Sequence, residues 1–289
     1  MEGITITDVR IHPGDNGFLM DDGNTAVLWD TGFGFTGCLM AERIQSILGD
    51  RPLDYIFLSH SHYDHAMGTA QLVRRWPKVK VVALEYVKNI FSRPGARRTM
   101  AELDGKIAKK CGILQYENPI DELRVDVAVK DGDTIRAGEM EFTVIALPGH
   151  TKCSVGYYSK QHDLLLCSET LGGYYGSGDV VPCYLVGYEM TLDSLKKAEA
   201  LEPGHLLLPH YGVIGGETVK WYFKRAAEAA KEAAEHILTM LKEGKSEEMI
   251  VQCLMERYYH GSITVLYPID AFLLNMSIMV RLIQKELME

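Results

Sequence analysis

Between positions 59 and 65 the chain reads Ser-His-Ser-His-Tyr-Asp-His. Four metal-capable side chains, His60, His62, Asp64 and His65, therefore share one short segment. It follows the apolar run Tyr55 to Leu58, so it leaves the end of a short buried strand. A loop leaving a strand end can turn such residues in two directions, with His60 and His62 facing one ion and Asp64 and His65 a second. Imidazole nitrogen and carboxylate oxygen suit zinc, iron or manganese. With only 10 histidines in 289 residues, chance is a poor explanation for such a cluster. A water bound to such an ion has its pKa lowered from near 16 to about 7, and two ions roughly 3.5–4 Å apart can share the resulting hydroxide and polarise a substrate oxygen. Chemistry of this kind needs no serine or cysteine nucleophile, and the sequence contains no GxSxG.

The segment resembles the HxHxDH signature of the metallo-β-lactamase superfamily. Further landmarks of that family follow in order over most of the first 215 residues. Asp30-Thr31-Gly32 is similar to its early strand-end DTG turn, Pro148-Gly149-His150-Thr151 to its PGHT segment, and Leu208-Pro209-His210-Tyr211-Gly212 to its final PGHG turn. The resemblance implies an α/β fold, the αββα four-layer sandwich, with the site at one edge between the sheets. It implies that His60, His62 and His150 hold a first ion and that Asp64, His65 and His210 hold a second. Asp64, His65 and His210 would serve catalysis, with Asp64 also orienting the hydroxide. Cys167-Ser168-Glu169-Thr170-Leu171-Gly172 falls where the family has GD with a bridging Asp. This chain offers Glu169 instead, one methylene longer. Glu169 is expected to be a ligand, because a carboxylate ending the apolar run Leu164 to Cys167 is costly to bury without a charged partner. His205 stands in a second Pro-Gly-His string and competes with His210. His210 is preferred because it follows the apolar strand Leu206 to Leu208. His12, His162, His236 and His260 lie outside any ligand cluster.

These residues need elements to hold them. Hydrophobic residues make up 47% of the chain, enough for a full core. Ile4 and Ile6 share one face and Val9 and Ile11 are out of phase with them, so a bulge or two short strands are expected near Thr7 and Asp8. Thr25 to Trp29 reads as a strand, with Pro13-Gly14-Asp15 and Asp22-Gly23-Asn24 as turn punctuation. A helix fits Leu39 to Leu48, with Leu39, Ile44 and Ile47 or Leu48 inward and Gly49 as its stop. A helix over Met67 to Trp76 and a strand over Val79 to Leu84 complete a β-α-β alternation. Residues 86–121 are polar and partly basic and read as an insertion. Strands resume at Ile135, Met140 to Ala146, Val155 to Tyr158 and Leu164 to Cys167, with a helix near Leu192 to Leu201. From Glu217, Val219, Tyr222, Phe223, Ala226, Ala230, Ala233 and Ile237 recur on one helical face. Gly244 stops that helix, Ser246 with Glu247 and Glu248 starts another, and Pro268 suits the first position of a third. The expected organisation is a catalytic domain over 1–215, with 86–121 inserted, and a helical extension over 216–289 packing on the core.

The formal net charge of −9 disfavours nucleic-acid binding. One local exception, Arg93, Arg97, Arg98, Lys106, Lys109 and Lys110, is opposed only by Glu102 and Asp104 and could attract an anionic small-molecule substrate. The six cysteines contain no CxxC and mostly lie in apolar stretches, as reduced thiols do. No signal-peptide pattern and no apolar run of membrane length occur, so a cytoplasmic location away from membranes is expected. The apolar stretch Ile269 to Leu287 reads as a core helix or a homodimer interface. The expected function is hydrolysis of a small thioester, ester or phosphoester by a metal-bound hydroxide, with two divalent ions, zinc first and iron or manganese also suited. The departure at Glu169 argues against a β-lactamase and for members resembling glyoxalase II, quorum-sensing thioesterases and phosphorylcholine esterases. It also keeps open the alternative of a metal-binding regulatory or ligand-binding protein with little turnover.

Overall fold

The structure is a computed structural model that describes residues 3–176 and 178–288. The chain divides into two compact units. The first comprises residues 1–146 and 155–166, the second residues 147–154 and 167–289.

In the first unit, β1 (Thr5–Asp8), β2 (Phe18–Asp21), β3 (Ala26–Trp29), β4 (Tyr55–Phe57), β5 (Lys80–Leu84) and β6 (Val127–Val129) form one sheet in that order. The first three strands are antiparallel, and β3 to β6 run parallel. β7 (Thr134–Ala137), β8 (Met140–Ala146), β9 (Val155–Ser159) and β10 (Leu164–Leu166) pair antiparallel in sequence. The two sets of strands bury their aromatic residues against each other. Phe57 of β4 lies 5.2 Å from Phe142 of β8 and 4.7 Å from Tyr157 of β9, ring centre to ring centre. The Tyr157 hydroxyl, carried into that interior, donates to the Leu58 carbonyl at 3.0 Å, as a buried phenol must find an acceptor.

The helices of this unit are α1 (Gly37–Leu48), α2 (Tyr63–Ala66), α3 (Thr69–Arg75), α4 (Glu85–Phe91) and α5 (Pro94–Lys110). The inward stripe of α1 is Met40, Ile44 and Leu48, while Leu39 and Ile47 are exposed. The sequence reading placed Leu39 inward. An i, i+4, i+8 stripe through Met40 buries three large side chains without either of them. The first strand covers only Thr5–Asp8, and β2 and β6, which the pattern did not announce, complete the sheet. The insertion is chiefly the two helices α4 and α5. Asp104 on α5 is buried, not a surface counter-charge to the neighbouring lysines. It accepts from the Gly34 amide at 2.8 Å and from the Tyr116 hydroxyl.

The second unit contains two short hairpins, β11 (Gly173–Tyr174) with β12 (Val180–Val181), and β13 (His205–Leu208) with β14 (Gly212–Gly215). Its helices are α6 (Tyr188–Glu199), α7 (Glu217–Lys242), α8 (Glu247–Tyr258), α9 (Ile263–Leu266) and α10 (Ile269–Met288). The buried face of α7 is Val219, Tyr222, Phe223, Ala226, Ala229, Ala230, Ala233, Ala234 and Ile237. Its alanines let neighbouring helices approach closely. The Ser246 hydroxyl accepts from the Met249 amide, as a helix cap should. Phe272, Met276, Met279, Val280 and Ile283 of α10 pack with Ile250, Leu254 and Ile237 in one apolar cluster. Among the described residues, no helix is long and apolar enough to cross a membrane.

Candidate metal centre

The first four candidate ligands are built on a strand end. β3 and β4 are parallel with Trp29 beside Phe57, so the residues that follow them, Asp30 and the 59–65 loop, emerge side by side. Asp30 is fully buried and takes the left-handed backbone conformation, φ 57°, which Asp tolerates better than most residues. That turn lets its carboxylate gather four donors. They are the Ser59 amide (2.7 Å), the Ser59 hydroxyl (2.6 Å), the Asn16 side-chain amide (2.7 Å) and Nδ1 of His65 (2.8 Å).

The neighbouring turn holds the backbone of the loop. The Thr31 amide and hydroxyl both donate to the His65 carbonyl, at 2.7 and 2.9 Å. The Asn16 amide donates to the Asp64 carbonyl at 3.3 Å. Directly after the loop, a Cβ on Gly68 would stand 2.0 Å from the Thr31 carbonyl oxygen. Only glycine permits that approach. The His60 ring lies 4.5 Å from that of His62 and 4.3 Å from that of His65. His60 and His65 are buried, whereas the Asp64 side chain retains 26% exposure.

The hydrogen bonds fix which ring nitrogen faces outward. A carboxylate only accepts, so Nδ1 of His65 carries the proton shared with Asp30. In a neutral ring the lone pair is then on Nε2, which lies 3.7 Å from a carboxylate oxygen of Asp64. Two acceptors facing each other call for a cation between them, or for a second proton on the ring.

The other three candidates belong to the second unit, each on its own turn. Nδ1 of His150 lies 3.1 Å from the Cys183 carbonyl. A carbonyl also only accepts, so Nδ1 of His150 is the donor, and in a neutral ring the lone pair is again at Nε2. The His150 amide donates to the Thr170 hydroxyl at 3.1 Å. Glu169 opens a single 3-10 turn, Glu169–Leu171, and is buried rather than an ordinary surface carboxylate. His210 sits just past β13 with φ 59°, also buried, and its Nε2 is 3.2 Å from a carboxylate oxygen of Glu169. His205, the rival, begins β13 paired with Gly215, at the opposite end of that strand from His210. Burial pushes the Cys167 thiol well above its usual range and the charge of Glu169 pushes the same way, so Cys167 stays a neutral thiol.

The structure thus brings His60, His62, Asp64 and His65 together in one unit, and Glu169 and His210 together in the other with His150 braced by the Glu169 turn. Sequence reasoning missed the supports. Asp30 was visible in its DTG turn but had no role, and nothing marked Asn16, Ser59 or Thr170. The donor set suits a borderline metal such as zinc. It is imidazole nitrogen and carboxylate oxygen, with two tautomers fixed by acceptors on the far side of the ring.

A family model described as the metallo-beta-lactamase superfamily matches residues 14–210. The chain belongs to the metallo-β-lactamase superfamily. The fold class expected from its sequence, α/β with this superfamily's fold and a C-terminal helical region, is the one observed. A crystal structure of an archaeal metallo-beta-lactamase superfamily protein from Sulfolobus tokodaii aligns with 99% of this chain and 100% of its own, with TM-score 0.61 and 19% identity. A metallo-beta-lactamase family protein from Thermus thermophilus aligns with 99% of this chain and 94% of its own, with TM-score 0.66 and 18% identity. Among curated relatives, a hydroxyacylglutathione hydrolase from Legionella pneumophila is 28% identical over 169 residues. That match covers 51% of this chain and 53% of the relative, so the chain spans about half the length of that enzyme.

Proposed function

We propose that the chain is a dinuclear-metal-dependent hydrolase of a small thioester, ester or phosphoester. In this reading His60, His62 and His150 hold one ion, Asp64, His65 and His210 hold the other, and Glu169 serves as the additional carboxylate. Residues 1–215 act as the catalytic domain, with 86–121 inserted, and 216–289 as its helical extension. The observation that carries the reading is the fixed tautomer of His65 and His150, whose Nδ1 atoms are held by Asp30 and the Cys183 carbonyl at 2.8 and 3.1 Å. Metal-binding histidines are held in this way, with the other ring nitrogen donating to a carboxylate or a backbone carbonyl.

When bound, such ions supply a hydroxide nucleophile near neutral pH and polarise the bond to be cleaved. The chain's own residues do the rest. Asp64, the partly exposed carboxylate of the loop, orients the attacking hydroxide. Asp30 keeps His65 in one tautomer and one orientation. Among the three bond types, the relatives named hydroxyacylglutathione hydrolase favour an acyl thioester.

The test is metal analysis of the purified protein followed by turnover assays on thioester, lactone and phosphodiester panels. The expected result is bound transition metal and metal-dependent turnover of at least one class, thioesters first. A fully loaded protein that turns over none of them overturns the hydrolase reading in favour of a metal-binding regulatory or ligand-binding protein.

A further inference from the structure

Helix α7 belongs to the C-terminal helical region, yet one of its side chains reaches the turn that carries Glu169. Tyr222 lies on the buried face of α7 and is itself fully buried. Phenylalanine would fill that space equally well, so packing alone does not call for the hydroxyl. The hydroxyl donates to the Gly172 carbonyl at 2.8 Å.

Gly172 closes the 3-10 turn. Its amide donates to the Glu169 carbonyl at 2.9 Å, and the Leu171 amide to the Ser168 carbonyl at 3.0 Å. Gly172 has φ +95°, and a Cβ there would stand 2.4 Å from a methyl carbon of Val180. The peptide Tyr222 grips is therefore held in a conformation and a space that only glycine fits. The same turn supplies the Thr170 hydroxyl that accepts from the His150 amide. One three-residue turn carries Glu169 and braces His150, and its far end is pinned from α7.

We propose that Tyr222 is a positioning residue for Glu169 and His150, through which helix α7 sets how tightly metal is held. This rests on the reading of Glu169 and His150 as metal ligands given above. Hydrogen-bonded supports of metal ligands alter metal affinity by about 10–100-fold when removed. Tyr222 acts one bond further out, so the lower end of that range applies.

The experiment measures zinc affinity of the metal-stripped full chain by competition with a chromophoric zinc chelator, alongside the melting temperature. Tyr222→Phe is compared with Tyr259→Phe, which removes another phenol-to-carbonyl bond, from Tyr259 to Tyr267 at 2.7 Å, in the same unit. Both changes are expected to lower the melting temperature by a few degrees. Only Tyr222→Phe is expected to weaken zinc binding, by roughly tenfold. Thr170→Val should weaken it too, and the double variant should lose less than the product of the two single losses, because both act through one turn. Wild-type zinc affinity in Tyr222→Phe overturns the proposal. Glu169→Gln, measured in parallel, separates the two claims. If it loses zinc while Tyr222→Phe does not, only the role of Tyr222 fails. If it keeps wild-type affinity, the reading of Glu169 as a ligand fails, and the role of Tyr222 stands or falls on Tyr222→Phe through His150 alone.

Discussion

The two units supply candidate ligands in opposite ways. The first unit puts four of them within six residues, on one loop, and gathers the loop's supports in one place, the buried Asp30 carboxylate with the Thr31 and Asn16 groups beside it. Asp30 receives the Ser59 amide, the Ser59 hydroxyl, Asn16 and His65 together. The second unit spreads three candidates over sixty residues, each on its own turn, with the Glu169 turn also bracing His150. The Cys183 carbonyl and Thr170 hold His150, Gly172 and Tyr222 hold the Glu169 turn, and the left-handed residue after β13 is His210 itself. A contiguous loop whose side-chain donors share one carboxylate is economical in sequence but loses several bonds at once if that carboxylate goes, whereas supports spread over separate turns are lost one or two at a time.

The largest effect expected from this contrast is at Asp30. Asp30→Ala leaves buried donors unsatisfied, each costing about 1–3 kcal/mol and not additively. We expect a total loss of about 3–5 kcal/mol, read as a lower urea midpoint, together with loss of metal. Nothing in the second unit should match it. Thr170→Val removes one acceptor from one amide and should cost about 1 kcal/mol. If Asp30→Ala is no more destabilising than Thr170→Val, the Asp30 carboxylate is not the main support of the first loop.

Next in size is Glu169. Glu169→Gln keeps the shape and removes the charge. It should cut turnover of the best substrate at least tenfold and weaken one metal more than the other. Glu169→Asp, which restores the usual residue of the family, should retain more activity than Glu169→Gln. Full metal and full activity in Glu169→Ala would show that the second unit's carboxylate takes no part.

This contrast also explains what could be read from the sequence. His60, His62, Asp64 and His65 were legible as candidates because metal-capable side chains crowded into one loop after an apolar strand are improbable by chance. Glu169 and His210 were legible only through resemblance, since a lone Glu or His carries no spacing signal of its own. The helical region was legible from its period, down to the Ser246 cap. Asp30, Asn16, Thr170 and Tyr222 were not, because a support is defined by what it touches across 29, 14, 20 or 50 residues of chain. Asp104 misled for the same reason. Among lysines it reads as a surface charge, and only the fold buries it against Gly34 and Tyr116.

A pH-dependent effect concerns that residue. Burial pushes the Asp104 carboxyl up to about 6, against the lowering effect of its bonds to Tyr116 and Gly34. Between about pH 4 and about pH 6 the folded chain then keeps a proton that the unfolded chain releases, so stability falls as pH rises through that window. The contribution is roughly 1–3 kcal/mol. The stability difference between the wild type and Asp104→Asn should shift in favour of the variant as pH rises from 4 to 6 and stay level above 7. A difference that is flat across the window would show that Asp104 ionises normally.

The central claim of the proposed function is that His60, His62, Asp64, His65, His150 and His210 are all metal ligands. It is tested most directly by metal stoichiometry in the wild type and in two double variants, one stripping each unit. The wild type should hold about two transition-metal ions per chain. His62→Ala with His65→Ala should lose most of them, and His150→Ala with His210→Ala should lose as much. Metal retained in full by the second double variant, or wild-type protein that takes up none, would contradict the account.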